Sequence, residues 1–294
     1  MKKITITLLI YLIVSNATNG QVIKFVVFDK EQNKPCPFVN AIIGDYFTIS
    51  DDDGNIKIPS SGLMDTDSVI VKSMSYKEFN GDIKSLRGSD TIFLQPKVYM
   101  LNEVTIIDNN TSKKRNRILG YNRNFGPYGT QLDPESIIGV YIHPTKHTCK
   151  VKDMNFYIEN SYGFKQKFRI RIFSFNREKK EVISDLLEEN VFGETIAKEG
   201  WMTIDLERFN IVIPKEGALF AIEPLYFNTE ELYIKLKDTK LTYILNYPTV
   251  KYCHQGNKEN SFFYYKPKNK WFESSKGSTE TTNHLIYINI TEYK

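Results

Sequence analysis

Soft metal ligands are scarce in this chain of 294 residues, which holds only three Cys and four His. A zinc carboxypeptidase needs a His and a Glu three residues apart, with a second His later in the chain. The residues three positions after His143, His147, His254 and His284 are Lys146, Lys150, Asn257 and Tyr287, so that pairing does not occur. Neither H-E-x-x-H nor G-x-S-x-G is present, which leaves no zinc-protease or serine-hydrolase motif to build on. No block of Lys and Arg is long enough to argue for nucleic acid on a chain of net charge +4. Beyond the first twenty residues no apolar run is long enough to cross a bilayer as a helix.

The chain is rich in aromatics, with 18 Tyr and 19 Phe, and in short stretches where apolar and polar residues alternate. Both favour strands over helices. Residues 1–20 read as an export signal: Lys2 and Lys3, an apolar run from Ile4 to Val14, then small polar residues to Gly20. An uncut membrane anchor is the other reading of that segment. Cleavage near Gly20 would leave Gln21 at the front of an exported chain, in the periplasm or at a cell surface.

The first domain is organised around Ile49 to Pro59. Asp51, Asp52, Asp53 and Gly54 make a tight turn, and Asn55 to Ile58 alternates like a half-buried strand. Calcium is the sharper reading of those carboxylates. However, with Gly54 as the sixth position of an EF-hand loop, the first and twelfth ligands would be Ile49 and Ser60. A hairpin turn accounts for the stretch better.

Several blocks follow in order: Phe28-Asp29, Lys34 to Ala41, Ser50 to Asn55, Ser73 to Lys77, Asp90 to Leu94, and Leu101-Asn102-Glu103-Val104. Together they resemble the carboxypeptidase regulatory-like domain of Bacteroidota envelope proteins. That domain reads roughly D-x-x-T-G-x-P-[LI]-P-x-[AV]-N-V, T-[DN]-x-D-G-x-F and x-G-[YF]-K, and ends L-x-E-V-V. Cys36, Ile56 and Ser75 depart from the pattern, but none removes an apolar core position. The resemblance implies a small transthyretin-like (CnaB-like) Greek-key β-sandwich over residues 21–107. It also implies a non-catalytic accessory, without the peptidase.

Residues 108–120 are polar and basic through Lys113, Lys114, Arg115 and Arg117, and read as a linker. The sharper alternative is a docking strip for lipid phosphate or an acidic partner. Residues 121–294 carry many short strand patterns between turn residues, which suggests a second, jelly-roll-like sandwich. In one of them Phe168, Ile170 and Ile172 take one face and Arg169 and Arg171 the other, as in a half-buried strand. The segment Gly200 to Ile211, followed by Ala218 to Glu223, is similar to a C-terminal module of uncharacterised Bacteroidota envelope proteins, and implies no activity.

Two sets of residues stand out in this second domain. Cys149, two residues after His147, and Cys253, next to His254, are open to a disulfide, to two separate buried thiols or to a zinc site, with Cys36 left as a core hydrophobe. Phe262, Phe263, Tyr264, Tyr265, Trp271 and Phe272 fall on one expected hairpin. A period-2 strand points only half of them inward. Tyr265, Lys270 and Trp271 are therefore the candidate binding surface, with Trp271 as anchor. A hairpin buried wholly in the core is the alternative.

The sequence thus reads as an all-β protein of two β-sandwich domains, exported and non-catalytic, needing no cofactor or metal. It would act as a binding or assembly component of a cell envelope. The first domain would be a docking or spacer module and the second a recognition module for another envelope protein. A carbohydrate-binding module is the first alternative, and would need two or three exposed coplanar aromatics beside polar groups. An enzyme with an unrecognised site in the second domain is the other.

Overall fold

The computed structural model describes residues 22–44, 46–60, 62–73, 76–96, 113–161, 163, 165–196, 198–225, 247–254, 260–268, 270–274 and 282–294. The expected export signal lies outside these residues. The chain divides into two compact units, Met1–Val98 and Tyr99–Lys294. Both are built almost wholly of strands packed as sandwiches.

The first unit comprises β1 (Val22–Asp29), β2 (Asn40–Ile43), β3 (Tyr46–Ile49), β4 (Asn55–Pro59), β5 (Ser68–Lys72), β6 (Phe79–Asp82), a short helix α1 (Ile83–Arg87) and β7 (Thr91–Leu94). One sheet runs β4-β1-β7 and the other β3-β2-β5-β6. Alternation decides the faces. Phe25, Val27, Ile56, Ile58, Ile92 and Leu94 from the first sheet share one core with Val39, Ala41, Ile43, Val69 and Val71 from the second. Cys36 is a buried member of that core, as expected.

The turn at Asp51 to Gly54 forms, but it does not close a hairpin. β3 pairs with β2 and β4 with β1, so the turn carries the chain from one sheet to the other. Asp51 Oδ1 accepts from the backbone N–H of Asp53 (3.0 Å) and of Asn55 (2.7 Å), so its carboxylate is spent on the backbone. Gly54 takes φ +75°, and a Cβ there would stand 2.7 Å from the Val27 carbonyl oxygen. Only glycine fits that approach.

The second unit contains β8 (Lys114–Gly120), β9 (Phe125–Gln131), β10 (Ser136–Ile142), β11 (Thr148–Glu159), β12 (Lys167–Asn176), β13 (Glu181–Asp185), β14 (Val191–Glu194), β15 (Gly200–Asp205), β16 (Ala218–Pro224), β17 (Thr249–Cys253), β18 (Ser261–Tyr265), β19 (Lys270–Glu273), β20 (Asn283–His284) and β21 (Ile286–Tyr293). One seven-stranded sheet runs β13-β12-β16-β10-β18-β19, with β14 also on β12. The other runs β20-β17-β11-β21-β8, with β15 on β11 and β9 on β17. Ile138, Val140, Phe168, Ile170, Phe220 and Ile222 of the first pack with Val151, Met154, Phe156, Ile158, Ile286 and Ile288 of the second. Phe156 meets Phe168 edge to face at 5.3 Å.

Two expectations change here. Residues 108–120 are not wholly a linker, because Lys114–Gly120 is β8, paired along its length with β21. An edge strand tolerates charge as readily as a linker does, so composition does not separate the two. β12 is also not half-buried, since Arg169 and Arg171 are each only 3% exposed. The sheet carrying β12 is covered on both faces.

Candidate functional site

The second face of the β12 sheet gathers a buried ionic cluster. Register sets Arg169 opposite Glu223 and Arg171 opposite Ala221 on neighbouring strands. Arg169 Nη2 lies 2.7 Å from Glu223 Oε2, and Lys266 Nζ lies 3.0 Å from Oε1. Arg171 Nη2 reaches Asp185 at 2.6 Å. Burial alone would raise the Glu223 carboxyl. Arg169, Lys266 and Arg171 outweigh that effect and hold it far below the usual carboxylate range. Burial likewise lowers the Lys266 ammonium, partly offset by Glu223. A carboxylate fixed as an anion neither gives nor takes a proton near neutral pH, so the cluster is suited to structure rather than to acid–base chemistry.

The same face corrects the expected anchor. Trp271 is 6% exposed, with ring centres 6.0 Å from Phe173, 5.7 Å from Phe175 and 5.0 Å from Tyr264. The hairpin itself is real, with Tyr264 opposite Trp271 and Tyr265 opposite Lys270. Of its six aromatics Phe262 and Trp271 are buried, whereas Phe263, Tyr264, Tyr265 and Phe272 stay partly open. Tyr265 and Lys270 lie on the side opposite Trp271. Phe263 and Tyr265 are near parallel there, 14° apart with centres at 6.3 Å. Tyr265 O–H donates to Glu135 (3.3 Å), and Lys270 Nζ sits 5.8 Å from the Phe272 ring centre.

Cys149 and Cys253 are buried thiols, and no disulfide joins them. They sit on different strands with different partners: Cys149 is opposite Glu292 of β21, and Cys253 is opposite Asn283 of β20. Among the described residues no three His, Cys, Asp or Glu side chains converge as metal ligands.

A cleft of about 610 Å³ opens at one end of the second sandwich, beside β8. Its lining comes from four separate stretches, so no single motif betrays it. β8 contributes Arg115 and Arg117, and β21 contributes Glu292, which is 2% exposed. Arg117 Nη1 bonds Glu292 Oε1 at 2.8 Å, and Lys294 Nζ stands 4.0 Å from Oε2. The loop after β10 adds His143, Lys146 and His147. Deeper in, Asn260 links two lining groups: its Oδ1 lies 3.0 Å from His143 Nε2, and its Nδ2 donates to the Tyr121 oxygen at 2.6 Å. An amide oxygen only accepts, so His143 Nε2 carries the proton. Tyr121 oxygen receives the Asn260 bond, which leaves its own proton to donate, and burial pushes the phenol up so that it stays protonated. Of this set, sequence reasoning singles out only the basic run around Arg115 as a docking strip. It weighs the histidines as metal ligands and passes over Lys146, Glu292 and Lys294.

The chain is thus an all-β protein of two units with a cationic cleft in the second. It matches no protein-family model and no curated protein. Among solved structures it is similar to the cysteine protease and lectin-like domains of a surface-layer-associated protein of Clostridium difficile. That match has TM-score 0.36 and 12% identity, over 88% of this chain and 59% of that one. A clostridial cysteine protease after propeptide cleavage matches at TM-score 0.37 and 12% identity, over 94% of this chain and 71% of that one.

Proposed function

We propose that this protein is an exported, non-catalytic binding or assembly component of a cell envelope. Its first unit, read as a regulatory-like domain, serves as a docking or spacer module. Its second unit captures an acidic segment of another envelope protein. The observation that carries this reading is β8. It is the last strand of its sheet, its first five residues are exposed, and it bears Lys114, Arg115 and Arg117. An open edge offers backbone N–H and C=O groups to an incoming strand. Two copies of this edge repel each other through their cations, whereas an extended acidic segment is attracted. The test is capture from crosslinked envelopes by the full chain and by the Lys114→Glu/Arg115→Glu double variant. Loss of the captured protein at an unchanged melting temperature is expected, and undiminished capture by the variant would overturn the reading.

One observation favours a second reading, carbohydrate binding. Phe263 and Tyr265 present near-parallel, half-open rings beside Lys270 and Glu135. Tyr265→Ala would then abolish retardation of the protein in gels containing the glycan. The β8 double variant would leave that retardation intact.

A further inference from the structure

We infer that the cleft at the end of the second unit is a binding site for a phosphoryl dianion, presented either on a soluble phosphate ester or on a lipid headgroup. The cleft shares Arg115 and Arg117 with the β8 edge, and draws besides on the loop after β10, on Asn260 and on Lys294, so it is tested at residues off β8.

Charge is the first argument. Arg115, Arg117, Lys146 and Lys294 face a single carboxylate, Glu292, so the cleft holds an excess of three positive charges on a chain whose formal net charge is +4. Such a concentration inside a concavity focuses the field on whatever enters. A phosphate monoester carries about −1.5 to −2 near neutral pH, which matches that excess better than one carboxylate does.

Donor chemistry is the second argument. Asn260 Nδ2 donates to the Tyr121 oxygen, which leaves the Tyr121 hydroxyl proton to donate, whereas the His143 Nε2 proton is spent on Asn260 Oδ1. Among the lining side chains Glu292 is the one acid: its Oε1 accepts from Arg117 at 2.8 Å, and its Oε2, without a hydrogen-bond partner, faces Lys294 Nζ at 4.0 Å. Cationic donors thus outnumber acidic acceptors in the lining four to one. A neutral sugar, which brings as many donors as acceptors, would leave those donors unmatched, whereas a group with three strong acceptor oxygens satisfies them.

Size is the third argument. A cleft of about 610 Å³ lies in the range of small-molecule sites, roughly 300–1,000 Å³.

The experiment uses the full chain at a fixed ionic strength of about 0.15 M, so that general screening is the same throughout. Inorganic phosphate and pyrophosphate are titrated calorimetrically, with succinate as the dicarboxylate control. Saturable binding of phosphate or pyrophosphate is expected, with succinate at least about fivefold weaker. Lys146→Ala and Lys294→Ala should each weaken pyrophosphate by about fivefold. Both side chains are exposed, so melting temperatures should stay unchanged. Flotation with vesicles containing phosphatidic acid, against phosphatidylcholine alone, then assigns the source. Recruitment marks a lipid headgroup, and binding in solution without recruitment marks a soluble ester. Absence of phosphate binding, equal affinity for succinate, or full affinity in the Lys146→Ala/Lys294→Ala double variant would each overturn the inference. Lys146 and Lys294 lie off β8, so these variants leave the edge strand intact, whereas Lys114→Glu/Arg115→Glu alters the edge and the cleft together.

Discussion

His284 shows what complete burial does to one titrating side chain. It has no solvent exposure, its Nε2 lies 3.0 Å from Thr130 Oγ1, and its Nδ1 has no hydrogen-bond partner. Burial pushes its pKa down to about 3 from an ordinary value of 6.5. The sign follows directly: between those values the unfolded chain binds a proton that the folded chain refuses, so stability is complete above 6.5 and falls as pH drops. The slope is about 1.4 kcal/mol per pH unit, so acidification from about pH 6.5 to about pH 5 should cost roughly 2 kcal/mol. Urea midpoints across that range should show the loss in the natural protein and a much flatter line in His284→Gln. A natural protein as flat as the variant would mean that the imidazole takes up its proton while folded. Glu223 does not confuse the measurement. Its pKa is depressed, so its contribution persists above the unfolded value of 4.5 and fades only below it.

At the scale of elements, the β18–β19 hairpin was legible in the sequence, but its role was not. The turn at Lys266 to Lys270 and the pairing of Tyr264 with Trp271 follow from local pattern. The covering of Trp271 depends on elements far away in the chain, which no window of local alternation contains. The first unit was easier to read, because Ile56, Ile58, Val69 and Val71 lie on strands whose alternation matches their burial. β8 was misread for the converse reason: a solvated edge strand and a solvated linker have the same composition. The cleft was invisible for a third reason, since residues from four stretches meet there only after the sandwich has formed. Burial now fixes the outcome for Trp271. Trp271→Ala should remove about 3–5 kcal/mol of stability by opening a cavity against Phe173 and Phe175. Chemical denaturation reads it, and a loss under 1 kcal/mol would restore Trp271 as a surface group.

For the whole molecule, the two units hold separate cores with no residue in common. Each buries enough apolar surface to fold by itself, so calorimetry should resolve two transitions, and a fragment of residues 21–107 should reproduce one of them. A single transition for the full chain, together with an unfolded fragment, would contradict this. The two units nonetheless differ in how the chain must be delivered to them. β8 opens the second unit and β21 closes it, zipped from Lys114 opposite Tyr293 to Gly120 opposite Tyr287. A chain that emerges amino end first can finish its first unit early, but the partner of β8 is made last. At a synthesis rate of about 5–20 residues per second, β8 waits on the order of ten seconds for that partner. During that interval the β8–β21 edge of the second unit cannot form.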